Sequence, residues 1–128
     1  MPGRLLVDTD VVIEYLRGRT EASEWLESQE ADLLVSVITV AELFAGVKGE
    51  HESQSLDRFL SALAVLPATD EIGRLAGGYR RDYGQSHGTG LADALIAATA
   101  AVTDSLLATF NRRHFPMLPT VVVPYRRR

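Results

Sequence analysis

The chain contains no cysteine, which excludes disulfide bridges and thiolate metal sites. It also lacks a long apolar run: its most apolar stretch, residues 90–102, is interrupted by Asp93 and is shorter than the roughly 20 residues needed to cross a bilayer. The first residues, MPGRLLVDTD, lack the apolar core of a secretory signal. We therefore expect an intracellular, cytoplasmic protein with no membrane association.

Positive charge is scarce as well. The net charge is −4, from 13 basic and 17 acidic residues, and such a balance argues against tight nonspecific binding to nucleic acid. It does not exclude a nuclease, because a bound metal ion offsets acidic residues at the site itself. The basic residues cluster at Arg80–Arg81, at Arg112–His114 and at Arg126–Arg128. We expect any phosphate contact to come from these three clusters.

Short apolar segments alternate with segments of helical periodicity along the whole chain. Strands are predicted at 4–7, 33–36, 64–67, 105–110 and 120–123, and helices at 10–17, 20–29, 37–47, 51–63, 69–83 and 91–103. Buried strands separated by helices are typical of a parallel sheet covered on both faces. The length of 128 residues suits one domain, 1–128. The predicted fold class is therefore α/β, a three-layer α/β/α sandwich with a central parallel sheet of about five short strands.

Several element boundaries follow from single residues. Thr20 and Ser36 are predicted to cap the second and third helices, because their hydroxyl groups can accept a hydrogen bond from the first turn. Gly84 is predicted to end the fifth helix, and residues 86–90 then form a loop. The end of this loop places the start of the sixth helix at residue 91.

Three carboxylates lie inside apolar stretches: Asp8 in LLVDTDVV, Glu42 in SVITVAELFAG and Asp93 in GLADALIAATAAV. No basic residue lies in any of the three stretches, and ionised carboxylates are rarely buried without a partner. The simplest interpretation is that the three side chains are buried and converge on one divalent cation.

The predicted fold places two of the polar side chains at one edge of the sheet. Asp8 follows the first strand and Asn111 follows the fourth, and ligands of open parallel sheets bind at the carboxyl ends of the strands. Oxygen ligands of this kind suit Mg²⁺ or Mn²⁺. His51, His87 and His114 show no zinc-binding spacing. A hard cation at such a site positions a water molecule for hydrolysis of a phosphodiester.

Each candidate ligand also has an ordinary structural interpretation. Asp8 suits the N-cap of the first helix, Glu42 suits a solvated helix face, and Asp93 suits the first turn of a helix, where a negative charge is favourable. Asn111 suits a cap of the turn that follows it. These roles stay open, and for Asp93 a capping role is compatible with metal binding.

Four segments together make the chain recognisable: LLVDTDVVIEYLRG (5–18), SVITVAELFAGV (36–47), GLADALIAATA (90–100) and LLATFNRRHFPML (106–118). In this order and at this spacing they resemble the PIN-domain ribonucleases, and specifically the VapC toxins of VapBC toxin–antitoxin systems. The resemblance implies a PIN-like fold and an endoribonuclease that depends on Mg²⁺ or Mn²⁺. It also implies a small cognate antitoxin as partner, RNA as substrate, and a homodimer.

The resemblance also assigns roles to the polar residues. It makes Asp8 and Asp93 the main metal ligands, and Glu42 completes the acidic cluster directly or through water. Many PIN domains have a fourth acid where this chain has Asn111. Asn111 remains in the predicted catalytic set, but a neutral amide is a weaker ligand, which puts a second metal ion in question.

Further residues are assigned supporting roles. Thr9, Asp10 and Thr109 are expected to orient Asp8 or its loop. Arg112, Arg80 and Arg81 are the candidates for contacts with the RNA backbone. A hydrophobic groove formed by Tyr15, Trp25, Leu26 and Phe44 is a candidate binding site for an antitoxin segment.

Two other functions fit parts of the sequence. LLVDTDVVI matches the opening of haloacid-dehalogenase-type phosphatases, in which Asp8 would be the nucleophile and Asp10 the acid and base. That chemistry also needs a well-placed lysine and a late pair of acids, but the chain has only Lys48 and no acid after Asp104. The other alternative is a catalytically silent PIN module that binds RNA or a partner, which Asn111 would suit.

Overall fold

The computed structural model describes residues 3–127, so Arg128 of the C-terminal basic cluster lies outside the described residues. Five strands alternate with six helices and one 3₁₀ helix. In chain order they are β1 (Arg4–Val7), α1 (Thr9–Leu16), α2 (Thr20–Glu27), β2 (Asp32–Ser36), α3 (Val37–Ala45), α4 (Gly49–Leu60), β3 (Ala64–Leu66), α5 (Asp70–His87), α6 (Leu91–Val102), β4 (Leu106–Ala108), the 3₁₀ helix Arg112–His114, and β5 (Val121–Val122).

The five strands form one parallel sheet in the order β3-β2-β1-β4-β5. Leu6 of β1 pairs with Leu34 of β2 on one side and with Leu107 of β4 on the other. The chain first adds strands on one side of β1 and then on the opposite side. The carboxyl ends of β1 and β4 therefore flank the point where the strand order reverses, which is the usual position of a ligand site in such sheets.

Successive side chains along the strands point to opposite faces of the sheet and contribute to a core on each face. Leu6, Leu34 and Leu107 pack on one face with Ile96 and Phe115. On the other face, Val7 of β1 and Val35 of β2 pack against α1, α2, α3 and α4. The buried residues of this second core are Val7, Val11, Val12, Leu26, Val35, Leu43 and Leu56. Successive strand residues point to opposite faces, so both faces of the short strands are covered by helices. The predicted three-layer α/β/α fold is confirmed.

The predicted end of the fifth helix at Gly84 is wrong, because α5 continues to His87. Gly84 lies beneath the side chain of Arg80, since a Cβ built on Gly84 would lie 1.7 Å from Arg80 Nη1. The helix ends instead at Gly88, whose φ of 67° is the left-handed conformation that favours glycine. The predicted loop 86–90 therefore shrinks, and His87 belongs to the helix.

Most other boundaries shift by one to three residues, and two of the shifts have a clear local cause. Ser36 caps α3 as expected, with its hydroxyl oxygen accepting a hydrogen bond from Ile38 N at 3.0 Å. Thr20, by contrast, is the first residue of α2, and Arg19 occupies the cap position without a side-chain hydrogen bond. The fourth strand ends at Ala108 rather than at residue 110, because Phe110 N donates to the side chain of Asp10 instead of to a strand.

The helices of residues 3–127 include none that is both long enough and apolar enough to span a membrane.

Candidate active site

Asp8 lies at the carboxyl end of β1 and is buried, with 5 % of its surface exposed. Its backbone continues the sheet, since Asp8 N donates to Ala108 O of β4. Its Oδ1 accepts a hydrogen bond from Thr9 N at 2.8 Å, so Asp8 also caps α1. Its Oδ2 accepts one from Thr109 Oγ1 at 2.7 Å. The capping interpretation is therefore correct, and each carboxylate oxygen keeps a second lone pair for another ligand.

Burial raises the pKa of Asp8 from the ordinary 3.8 to about 7, and the neighbouring charges of Asp10 and Asp93 add to the rise. The hydrogen bonds from Thr109 and Thr9 oppose it because they stabilise the ionised form. This pKa is evidence that the negative charges of Asp8, Asp10 and Asp93 act on one another. A cation placed between these carboxylates would stabilise their ionised forms.

Asp10 lies in the first turn of α1 and faces the end of β4. Its Oδ2 accepts a hydrogen bond from Phe110 N at 3.1 Å, whereas its Oδ1 is buried and has no partner among residues 3–127. Burial raises the pKa of Asp10, although the Phe110 hydrogen bond and the charge of Arg127 lower it. Asp10 thus ties α1 to the segment after β4, as expected of a residue that orients the site, and it adds an unpaired buried oxygen.

Glu42 is exposed on α3, so the expectation that it would be buried is wrong. Its neighbour Leu43 faces the core instead. Thr9 Oγ1 donates to Glu42 Oε1 at 2.7 Å and lies 3.0 Å from Thr39 Oγ1. Because a hydroxyl carries a single proton, Thr39 is the donor in that second contact. Thr9, which directly follows Asp8, therefore connects Glu42 of α3 to the start of α1.

Asp93 lies in the first turn of α6, with 27 % of its side chain exposed. Its Oδ2 accepts a hydrogen bond from Gly90 N at 3.0 Å and lies 3.4 Å from His114 Nδ1. Asp93 therefore has the capping role that its position in the helix suggested. Since both of these contacts use Oδ2, the other carboxylate oxygen is left for a further ligand.

Thr109 and Asn111 extend the site beyond β4. Thr109 is fully buried, and its hydroxyl accepts a hydrogen bond from Asn111 N at 3.0 Å while donating to Asp8. Asn111 precedes the 3₁₀ helix and is exposed, without a side-chain cap hydrogen bond. Its backbone thus supports Asp8 through Thr109, whereas its amide has no hydrogen bond to the acids of the described chain.

The predicted phosphate-binding arginines lie on two different elements. Arg112 begins the 3₁₀ helix that follows Asn111 and is exposed. Arg80 and Arg81 belong to α5: the guanidinium of Arg80 lies over Gly84 of the same helix, and Arg81 Nε lies 3.6 Å from Asp82 Oδ1. Of the three, Arg112 is the one on the segment that carries Thr109.

The donor set fits a hard divalent cation. Asp8, Asp10, Glu42 and Asp93 offer only oxygen, as Mg²⁺ and Mn²⁺ prefer, and the buried Oδ1 of Asp10 has no hydrogen-bond partner among residues 3–127. Within residues 3–127, no three acid or histidine side chains lie close enough to form a complete metal-binding group. Glu42 is directed toward Thr9 in this arrangement. Ligation by three of these acids together therefore requires a change in side-chain positions or a bridging water.

Sequence analysis missed two features next to these acids. His114 was considered as a zinc ligand and as part of a basic cluster, but its position beside Asp93 was not predicted. Tyr125 was not considered, yet its hydroxyl donates to Glu14 Oε1 at 3.0 Å, and Glu14 is only 8 % exposed. A signal for the second pair was present, because Glu14 lies one turn after Asp10 on the buried side of α1.

Comparison with known proteins identifies the family. The family model of the PIN domain matches residues 5–118. Ribonuclease VapC10 of Mycobacterium tuberculosis (strain H37Rv) is 45% identical over 94% of this chain and 92% of its own length. Ribonuclease VapC19 of the same strain is 40% identical over 94% of this chain and 98% of its own length.

A solved structure gives the same result at the level of the fold. One chain of a toxin–antitoxin complex from Klebsiella pneumoniae superposes with a TM-score of 0.81 at 31% identity, covering 94% of this chain and 98% of that chain. The four segments that carried the resemblance lie within the region matched by the family model, 5–118. The chain therefore belongs to the PIN-domain family and, within it, to the VapC ribonucleases.

Proposed function

We propose that this protein is a metal-dependent endoribonuclease toxin that hydrolyses RNA phosphodiester bonds in the cytoplasm and is held in check by a small cognate antitoxin. The observation that carries the proposal is the position of Asp8, which is buried at the carboxyl end of β1 beside Asp10, whose buried Oδ1 has no partner among residues 3–127. Burial and, to a smaller extent, the charges of Asp10 and Asp93 raise the pKa of Asp8 to about 7, which fits a site built to receive a cation. The high identity to ribonucleases VapC10 and VapC19 supports the same activity.

Asp8 and Asp93 would hold Mg²⁺ or Mn²⁺ directly, and Glu42 would complete the site directly or through water. Asn111 belongs to the proposed catalytic set as a neutral neighbour of these acids. When bound, the ion supplies a water nucleophile of lowered pKa and stabilises the charge that develops on phosphorus. A water nucleophile makes the RNA 2′-hydroxyl unnecessary, so the products should carry a 5′-phosphate and a 3′-hydroxyl.

The remaining residues of the site would prepare these carboxylates. Thr109 fixes Oδ2 of Asp8 by its 2.7 Å hydrogen bond, and Thr9 fixes Glu42 in the same way. Asp10 holds the backbone of Phe110 and so keeps the β4 end against α1. Arg112, at the exposed start of the 3₁₀ helix, would bind a phosphate of the substrate, with Arg80 and Arg81 as more distant candidates.

The antitoxin would bind a groove between α1, α2 and α4. The groove has a volume of about 610 Å³, and Tyr15, Leu26, Phe59 and Leu63 contribute apolar side chains to its lining. Trp25 packs beside this core without lining the groove, and Phe44 is 38% exposed on α3. An amphipathic helix with anchors one turn apart suits a groove of this kind. The Klebsiella relative was solved as a toxin–antitoxin complex, which supports this choice of partner.

A homodimer completes the proposal. Leu91, at the start of α6, is 58% exposed, and Leu106, at the start of β4, is 49% exposed. Apolar side chains exposed to this degree are a source of surface that a second copy of the chain can cover. Sedimentation of the purified protein without antitoxin would measure the oligomeric state directly.

The decisive experiment is induced expression in a bacterial host, with new RNA 5′ ends mapped across the transcriptome. The wild-type protein should arrest growth and generate discrete new ends, and Asp8→Asn should abolish both while leaving the fold intact. Asp57→Asn, an exposed carboxylate of α4, is the matched control and should behave as wild type. Equal arrest by wild type and Asp8→Asn would contradict the proposal.

End-group analysis of the products tests the chemistry. A 2′,3′-cyclic phosphate would show attack by the RNA itself and would rule out the water mechanism. Mn²⁺ binding without any cleavage would favour the catalytically silent module instead. A phosphoaspartate trapped at Asp8 would favour the phosphatase, whose lysine requirement is poorly met because Lys48 lies on the exposed loop after α3.

A further inference from the structure

The last described residues, Val123–Arg127, form a short arm that folds back over α1. Tyr125 anchors the arm through its hydrogen bond to the buried Glu14 and through an edge-to-face contact with Phe110, at a centroid distance of 5.0 Å. Burial and the bond to Glu14 raise the pKa of Tyr125 to about 12, so the phenol remains a proton donor at neutral pH. The arm is therefore pinned to the segment that carries the site.

The arm ends with a cation next to the acids. The guanidinium carbon of Arg127 lies 4.3 Å from the centroid of the Phe110 ring. Phe110 is also the residue whose backbone N–H binds Asp10, and it follows Thr109, whose hydroxyl binds Asp8. The positive charge of Arg127 lowers the pKa of Asp10, which indicates that the charge acts on the site.

The guanidinium of Arg127 is positioned by its stack on Phe110, and its N–H groups remain free to donate. The side chain is exposed, and within residues 3–127 no carboxylate pairs with it and no acceptor takes its N–H groups. In contrast, Arg74 is paired with Asp70 and Arg81 with Asp82. Arg127 thus combines a fixed position with free donors, the arrangement that a planar guanidinium offers to a phosphate group.

We propose that Arg127, stacked on Phe110, binds a backbone phosphate of the RNA strand that enters the site. The proposal rests on the proposed ribonuclease function and assigns part of the substrate-binding surface. A phosphate is favoured over a stacked base, because the Phe110 ring is already covered by Arg127 and contacted by Tyr125. A contact between Arg127 and a phosphate also explains how an acidic protein of net charge −4 can bind a polyanion beside its own carboxylates.

The test is the binding of a fluorescein-labelled, single-stranded RNA of mixed sequence, followed by anisotropy over a range of salt concentrations. All variants carry Asp8→Asn so that the RNA is not cut. Adding Arg127→Gln should reduce the slope of log K against log salt by about 0.7 and weaken binding about fivefold at 0.1 M salt, as expected for one lost phosphate contact on a single strand. Arg127→Lys keeps the charge and should retain most of the binding.

Arg4→Gln is the matched control, because Arg4 is exposed at the amino end of β1, the opposite edge of the sheet. It removes the same charge without removing the proposed contact. An Arg127→Gln variant with the affinity and salt slope of Arg4→Gln would overturn the proposal. So would equal losses for Arg127→Lys and Arg127→Gln, since they would point to the stack rather than to the charge.

Cleavage assays separate this inference from the proposed function. If the wild-type protein cuts RNA and Arg127→Gln cuts it with an unchanged KM, the assignment of Arg127 fails and the ribonuclease stands. The assignment predicts instead a raised KM with little change in kcat. If the wild-type protein cuts no RNA and the Asp8→Asn protein binds none, both proposals fail together.

Discussion

Replacing Asp8 by asparagine should stabilise the metal-free protein, although it should abolish activity. Asparagine has nearly the same shape as aspartate and can still accept the hydrogen bond from Thr9 N through its carbonyl oxygen. It removes the negative charge that Asp10 and Asp93 repel. A substitution at a proposed catalytic residue that raises stability is the signature of a site strained for function.

The magnitude follows from the pKa. In the folded protein the pKa of Asp8 is raised from 3.8 to about 7, so the neutral form contributes stability at low pH that is lost as the pH rises from about 4 to 7. Each pH unit in that window is worth about 1.4 kcal/mol. The ionisation of Asp8 therefore favours the unfolded chain by about 4 kcal/mol at pH 8, by about 2 kcal/mol at pH 5, and by almost nothing at pH 3.

The assay is urea unfolding of both proteins in the presence of EDTA at those three pH values. Asp8→Asn should be more stable than wild type by up to about 4 kcal/mol at pH 8, and the difference should shrink toward pH 3. Asp57→Asn, at an exposed position on α4, should show no such trend. A difference that is constant with pH, or a variant that is less stable at pH 8, would refute the reasoning.

Three further predictions concern the surroundings of the site. Mn²⁺ binding should tighten as the pH rises through about 7, the pKa of Asp8, with proton release measurable by titration calorimetry in two buffers below that pH; equal affinity at pH 6 and pH 8 would contradict it. Tyr125→Phe should cost about 1–3 kcal/mol in urea unfolding, because it leaves the carboxylate of Glu14 buried without its donor. Gly88→Ala should lower the free energy of unfolding by about 1–2 kcal/mol, since Gly88 has a φ of 67°. Gly77→Ala, at an open position on α5, should instead raise it by about 0.5–1 kcal/mol. Thermal melts that rank the two glycine variants in the reverse order would contradict this pair of predictions.

The layered fold was predictable because it depends on local patterns. Strand segments such as LLV at 5–7 are apolar at every position, as required when helices cover both faces. The alternation of such segments with amphipathic helices leaves few other arrangements. Gly84 misled the prediction because a glycine ends a helix when a left-handed residue is needed, and here Gly88 provides that conformation one turn later.

The candidate site was predictable in composition but not in detail. The positions of Asp8, Glu42 and Asp93 follow from their places on β1, α3 and α6, yet the exposure of Glu42 depends on how α3 rotates against α1. The contacts of Thr109 and Phe110 with the start of α1 join residues about 100 positions apart. Local sequence carries no signal for such contacts, because loop closure over that length depends on the whole fold.

The charges of the site have opposite effects on folding and on function. Clustered carboxylates cost stability in the metal-free protein, as the raised pKa of Asp8 indicates, and the chain as a whole repels RNA because its net charge is −4. In the proposed mechanism a divalent cation held by the acids would relieve the first effect, and Arg127 beside them would relieve part of the second. RNA affinity should therefore rise with Mn²⁺ and with Arg127 independently, so that each loss weakens binding whether or not the other is present. An effect of Arg127→Gln that disappears when Mn²⁺ is removed would show instead that the two cations act as one unit.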